Sequence, residues 1–104
     1  MIHHVVIWKL KPEALVEGRP RALAEMLAQA AAMRAGVPGL LRLELGANEM
    51  PGPDAGDLVL YTEFNNWEAL RVYEAHPLHQ RFRALVGPLR SERRSVDYES
   101  QSLA

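Results

Sequence analysis

The opening segment, IHHVVIWKL, constrains the fold more than any other stretch of the chain. β-Branched and aromatic residues dominate it, and such side chains suit a pleated surface. Successive side chains of a strand point to opposite faces. His4, Val6, Trp8 and Leu10 therefore share one face, and His3, Val5, Ile7 and Lys9 share the other. A strand with apolar side chains on both faces needs cover on both. Residues 57–64 read the same way, so the sheet these strands enter requires a second cover besides its own helices.

The remaining elements follow from periodicity and punctuation. Pro12 to Pro20 reads as a connector, with Pro20 placed in a first helical turn where its missing N–H costs nothing. Leu23, Met26, Leu27, Ala30 and Met33 recur at helical spacing and predict a helix over 21–35, stopped by Gly36 and Pro38. Residues 40–46 alternate, with Leu41, Leu43 and Leu45 on one side and Arg42 and Glu44 on the other. Two prolines and two glycines make 48–56 a loop. Asn65 and Glu68 form a capping-box-like start for a helix reaching residue 75. Pro77 disfavours helical geometry at His76 and breaks it. A third helix carries Leu78, Phe82, Leu85, Val86 and Leu89, a strand follows over 91–98, and 99–104 is a frayed tail. The order β-α-β-β-α-(α)-β is that of an α+β, ferredoxin-like fold: a four-stranded antiparallel sheet with helices on one face. One domain over 1–104 is expected.

In such a fold Val5, Ile7, Val59 and Tyr61 face outward. Each large apolar side chain left unburied forfeits about 1.5–3 kcal/mol, against a net stability of about 5–15 kcal/mol. Two sheets packed face to face remove that loss.

Composition excludes several functions. Twelve Lys and Arg against thirteen Asp and Glu give a net charge of −1, without the basic excess that nucleic acid or an anionic membrane requires. Cysteine is absent, which removes disulfides, thiolate catalysis and cysteine-ligated metals. No apolar run approaches the ~18 residues of a membrane span. The start, MIHHVVIWKLK, lacks a basic lead and a small-residue cleavage site. A soluble, cytoplasmic protein is expected. No glycine-rich phosphate loop and no G-x-S-x-G motif occurs. His76 and His79 are three residues apart, but Pro77 interrupts the helix and no third ligand is evident. No metal and no cofactor is expected. Acidic residues cluster between Glu44 and Glu68, and arginines between Arg81 and Arg94; these read as solvated faces, or as regions that meet across a symmetric interface.

Five segments in order, HHVVIWKL, VPGLLRLELGAN, DLVLYTEFNNWEALRVY, YEAHPLH and SVDYE, resemble the stress-responsive A/B barrel (Dabb) domain family. The Tyr-x-x-His-Pro-x-His element, Tyr73, His76, Pro77 and His79, is the most specific part. The resemblance implies a homodimeric α/β barrel, two sheets packed together with helices outside. A plant polyketide cyclase shares the fold. In it a tyrosine and a histidine matching Tyr73 and His79 assist an aldol closure, and a histidine matching His4 lies near the same pocket. A third histidine of the cyclase has no counterpart, because Asp57 or Leu58 stands there. The resemblance thus offers two roles. One is a protein that binds a small apolar or aromatic ligand without catalysis. The other is a cofactor-independent acid–base catalyst in which His79 is the base, Tyr73 orients it or donates, and Val6, Trp8 and Phe82 enclose the site with His4. The monooxygenase-like barrels of the same fold are a more distant third. At a helix break, His76 and His79 can instead simply bond exposed backbone groups.

Overall fold

The computed structural model of the protein describes residues 1–103. The chain runs β1 (Ile2–Leu10), a 3-10 turn (Pro12–Ala14), β2 (Leu15–Val16), β3 (Arg19–Pro20), α1 (Leu23–Gly36), β4 (Leu40–Ala47), β5 (Leu58–Phe64), α2 (Trp67–Ala75), α3 (Pro77–Val86), a second 3-10 turn (Gly87–Leu89) and β6 (Arg90–Glu99). Strands β4, β5, β1 and β6 pair in that order, all antiparallel. This is the ferredoxin-like α+β arrangement expected from the element order.

β1 is a central strand, and its register places the site. His4 lies opposite Thr62 on β5 and opposite Asp97 on β6. Its inward side chains, Ile2, His4, Val6, Trp8 and Leu10, are all buried. They meet Leu60 and Phe64 of β5, and Met26 and Met33 of α1, in one core. Phe82 of α3 packs on Trp8 at 6.0 Å between ring centroids, and Tyr73 of α2 on Phe64 at 5.2 Å. Gly39 follows α1 in the left-handed region at φ 79°, and a Cβ there would stand 3.0 Å from Ala69 Cβ. Glycine meets both demands.

The outward face is open. Ile7 is 44 % exposed, Val96 60 % and Tyr98 43 %. Among these apolar residues runs a polar chain. His3 Nδ1 lies 2.5 Å from the Tyr61 hydroxyl, which donates to Glu63 Oε2 at 2.8 Å. Glu63 also meets Arg42 at 3.6 Å, and the His3 ring stacks on Tyr98. Burial, with the Glu63 bond second, pushes the Tyr61 hydroxyl up to about 12.

Several local expectations change. The connector at 12–20 holds a small hairpin, because Glu17 and Gly18 both adopt positive φ (51° and 77°), as a two-residue hairpin turn requires. Pro20 belongs to that hairpin and is buried, and α1 begins three residues later. In β4 the register shifts between Leu40 and Arg42. This bulge turns Leu40 inward and leaves Leu41 38 % exposed, reversing the simple alternation at that end. Leu27 is exposed, and α1 buries Met26, Ala30 and Met33 instead. The cap of α2 is Asn66, not Asn65; its side chain accepts the Ala69 N–H at 2.9 Å. At the chain end, Ser100 donates to the Met1 carbonyl; Ala104 of the expected tail lies outside the described residues.

Phe82 is 1 % exposed, so Phe82→Ala should destabilise the protein by about 3–5 kcal/mol in urea unfolding. A loss under about 1 kcal/mol, typical of a surface position, would show that α3 is not anchored through this ring.

Candidate functional site

The site is built on the break between α2 and α3. In an unbroken helix the carbonyls of Tyr73 and Glu74 would accept from residues 77 and 78. Pro77 has no N–H to give. The Tyr73 carbonyl therefore takes the His76 N–H at 3.1 Å. Leu78 turns its N–H to the His76 ring, Nδ1 accepting at 3.1 Å, which caps α3. The Glu74 carbonyl is left without a backbone donor. Two side chains of the first turn of α3 fill it, Gln80 Nε2 at 2.8 Å and His79 Nδ1 at 3.0 Å.

That last bond fixes what His79 presents. A carbonyl only accepts, so Nδ1 carries the proton and donates. In the neutral ring Nε2 is then the acceptor. His79 is half-buried, and its pKa is lowered from the ordinary 6.5. Loss of hydration is the main cause, with Arg83, His4 and Arg93 adding to it against the opposing bond to Glu74.

A second histidine comes from the sheet. His4 is 3 % exposed, and its Nδ1 bonds Asp97 Oδ1 across the β1–β6 pair. The carboxylate accepts, so His4 too is left with Nε2. The Tyr73 ring packs against both imidazoles, 4.4 Å from His79 and 6.0 Å from His4 between centroids. Tyr73 is fully buried, and its hydroxyl has no hydrogen-bond partner among the described residues. Burial raises its pKa well above the usual tyrosine range.

His4 and His79 line one cavity of about 540 Å³, within the range of small-molecule sites. Trp8, Ala84 and Val86 contribute apolar wall, and Glu74, Gln80, Arg83, Arg90 and Arg93 contribute polar wall. The structure thus brings His4, Trp8 and His79 to one space, with Tyr73 packed behind the two imidazoles. Val6 and Phe82 are buried in the core and do not line the cavity. The polar lining was not anticipated from the sequence. A partial signal existed: Arg83 stands one helical turn after His79, and Arg93 alternates with Ser95 and Asp97 along β6. The cavity stays open because β6 is exposed along its whole length. Among the described residues no cluster of three His, Asp or Glu is arranged to hold a metal, and no helix is long and apolar enough to cross a membrane.

The family model for the stress-responsive A/B barrel domain matches residues 2–100. The chain belongs to the stress-responsive A/B barrel (Dabb) family. Among solved structures it is similar to a dimeric protein of unknown function with a ferredoxin-like fold from Bacteroides fragilis, at 28 % identity and a TM-score of 0.78, covering 95 % of each chain. A protein from Arabidopsis thaliana superposes with a TM-score of 0.81 at 18 % identity, covering 100 % of this chain and 99 % of the other. A putative antibiotic biosynthesis monooxygenase from Nitrosomonas europaea reaches 0.74 at 17 % identity, covering 98 % and 100 %. The last two show a shared fold. No protein of curated function matches this Dabb chain.

The lowered pKa gives a direct expectation. In an NMR pH titration the His79 ring should change protonation below 6.5. Its neutral form contributes stability above 6.5, and that contribution falls away as pH drops through the lower folded value. A midpoint at or above 6.5 would contradict the enclosed, Arg-flanked ring.

Proposed function

We propose that this Dabb protein is a homodimer, joined through its open sheet faces, in which each protomer binds a small aromatic or otherwise apolar carbonyl compound in the cavity between α3 and β6. The observation that carries the ligand reading is the shared cavity of His4 and His79. Both imidazoles are tied down through Nδ1, and both line one open cavity with Trp8 on its wall. The dimer reading rests on Ile7, Val96 and Tyr98, which one protomer leaves exposed, and on the dimeric state of the Bacteroides relative. Two such faces together form a barrel and bury the apolar residues of each. A stable interface of this kind covers at least about 1,200–2,000 Å².

A second reading, acid–base catalysis without a cofactor, is favoured by the state of His79. Its ring is neutral near pH 7 and its Nδ1 is committed to Glu74, so Nε2 is the atom free to take a proton from carbon beside a bound carbonyl. The electron pair of that C–H bond moves to the carbonyl oxygen, giving an enolate. A donor beside the oxygen stabilises it. Tyr73 packs against both imidazoles and stands off the cavity wall, so its ring holds them in place, and Asp97 holds the His4 ring through Nδ1. A cyclase-like aldol closure or a simple enolisation both begin with this step.

Acetophenone is a suitable probe, with acidic methyl hydrogens beside a carbonyl on an aromatic ring. It should perturb the His79 ring signals, and in D2O its methyl hydrogens should exchange faster than in buffer. His79→Ala should remove both effects while the fold persists. No perturbation, together with a large stability loss in His79→Ala, would assign His79 to tying α2 to α3 alone. Tyr73→Phe removes a buried hydroxyl that has no partner and keeps the ring, so it should leave stability within about 1 kcal/mol and exchange unchanged. Slowed exchange at unchanged stability would contradict this placement.

The interface is tested separately. Sedimentation at micromolar concentration should show a dimer, and Ile7→Asp should give a folded monomer, because pairing would bury the new charge. An unchanged dimer in Ile7→Asp would exclude this face.

A further inference from the structure

Three arginines line the cavity, from two elements. Arg83 stands one turn beyond His79 on α3, and Arg90 and Arg93 come from β6. Arg93 lies opposite Trp8 in the β1–β6 register. Among the described residues none of the three is within ion-pair distance of a carboxylate. The single side-chain bond of Arg93 is to Ser95 Oγ at 3.4 Å. Arg94, next in sequence but on the other face of β6, is by contrast paired with Glu92. One acidic residue, Glu74, shares the cavity wall with the three arginines, and Asp97 is engaged by His4. Like charges gathered around one space repel, and among the described residues no ion pair offsets them there.

Resting on the pocket reading above, we propose that the ligand of this cavity is an organic anion: an apolar body carrying a carboxylate or phosphate, with the charged end held by Arg83, Arg90 and Arg93 and the body reaching His79. The planar guanidinium matches both head groups through paired N–H donors. Trp8, Ala84 and Val86 give the body its apolar contact. The charges also act on the chemistry. Arg83 and Arg93 disfavour a proton on His79. An anion placed between them and the ring offsets that effect and returns basicity to Nε2. A charged ligand thus readies the base, and a neutral one leaves it weakened.

The test compares three probes that differ in one group: acetophenone, 4-acetylbenzoate and 4-acetylphenyl phosphate, titrated against the protein by calorimetry and by NMR of the His79 ring. At low salt one or both anions should bind about tenfold tighter than acetophenone or better, as expected of charge-assisted hydrogen bonds. The difference should shrink as sodium chloride is raised. The favoured anion distinguishes a carboxylate site from a phosphate site. The His79 midpoint should rise when that anion is bound. The double variant Arg83→Gln, Arg93→Gln changes exposed side chains; circular dichroism should show it folded, and it should bind the anion about tenfold more weakly with acetophenone unchanged. Acetophenone binding at His79 as tightly as both anions, or anion binding unaltered in the double variant, would overturn the anion proposal and leave the pocket reading standing. Binding of none of the three would overturn both.

Discussion

Pro77 brings no N–H to the second helix, and the candidate site follows from that missing donor. A helix that loses a donor must satisfy its last carbonyls in some other way. Here Tyr73 takes the His76 N–H, His76 takes the Leu78 N–H, and the Glu74 carbonyl falls to the side chains of His79 and Gln80. The chain turns at this point and resumes as α3, so the His79 ring lines the cavity while its Nδ1 is held by the Glu74 carbonyl. The backbone economy of the break and the aim of the imidazole are one arrangement. Bonding exposed backbone groups and presenting a base are therefore not alternatives at His79, because the same ring does both through different nitrogens.

The sheet supplies the opposite wall on similar terms. β1 serves two layers: its inward side chains reach the helices, and its outward ones lie on an open face. Helical cover does not extend over the inner face of β6, which stays exposed. That gap lets His4, buried to 3 %, share a cavity with the arginines of β6. The edge position of β6 and the polarity of its inward residues, Arg93, Ser95 and Asp97, belong together. An apolar residue at any of them would favour collapse of α3 onto the strand and closure of the space.

Local periodicity announces the elements that bury apolar stripes, which is why β1, β5, α1 and the break at Pro77 were legible in the sequence. Features set by backbone conformation or register were not. Glu17 gives no composition signal for a left-handed turn, so the β2–β3 hairpin passed for a connector. The bulge at Leu40 breaks the alternation that grouped Leu41 with Leu43 and Leu45. The histidines and Tyr73 could be named from their type and from the family resemblance, but Val6 and Phe82 show the limit of that reading. Apolar residues near a site belong equally well to the core beneath it, and the structure puts these two there. The arginines carry the opposite lesson. Charged residues scattered over fourteen positions read as a solvated face, and only the antiparallel return of β6 beside β1 brings Arg83, Arg90 and Arg93 to one space.

The central claim is that the break holds His79 as a neutral imidazole with its proton on Nδ1. Nitrogen-15 NMR of the histidine rings reads this directly, since a protonated ring nitrogen and a bare one resonate far apart. At pH 7 the His79 ring should show Nδ1 protonated and Nε2 bare. A proton on Nε2 with Nδ1 bare, or an imidazolium with both protonated, would contradict the account.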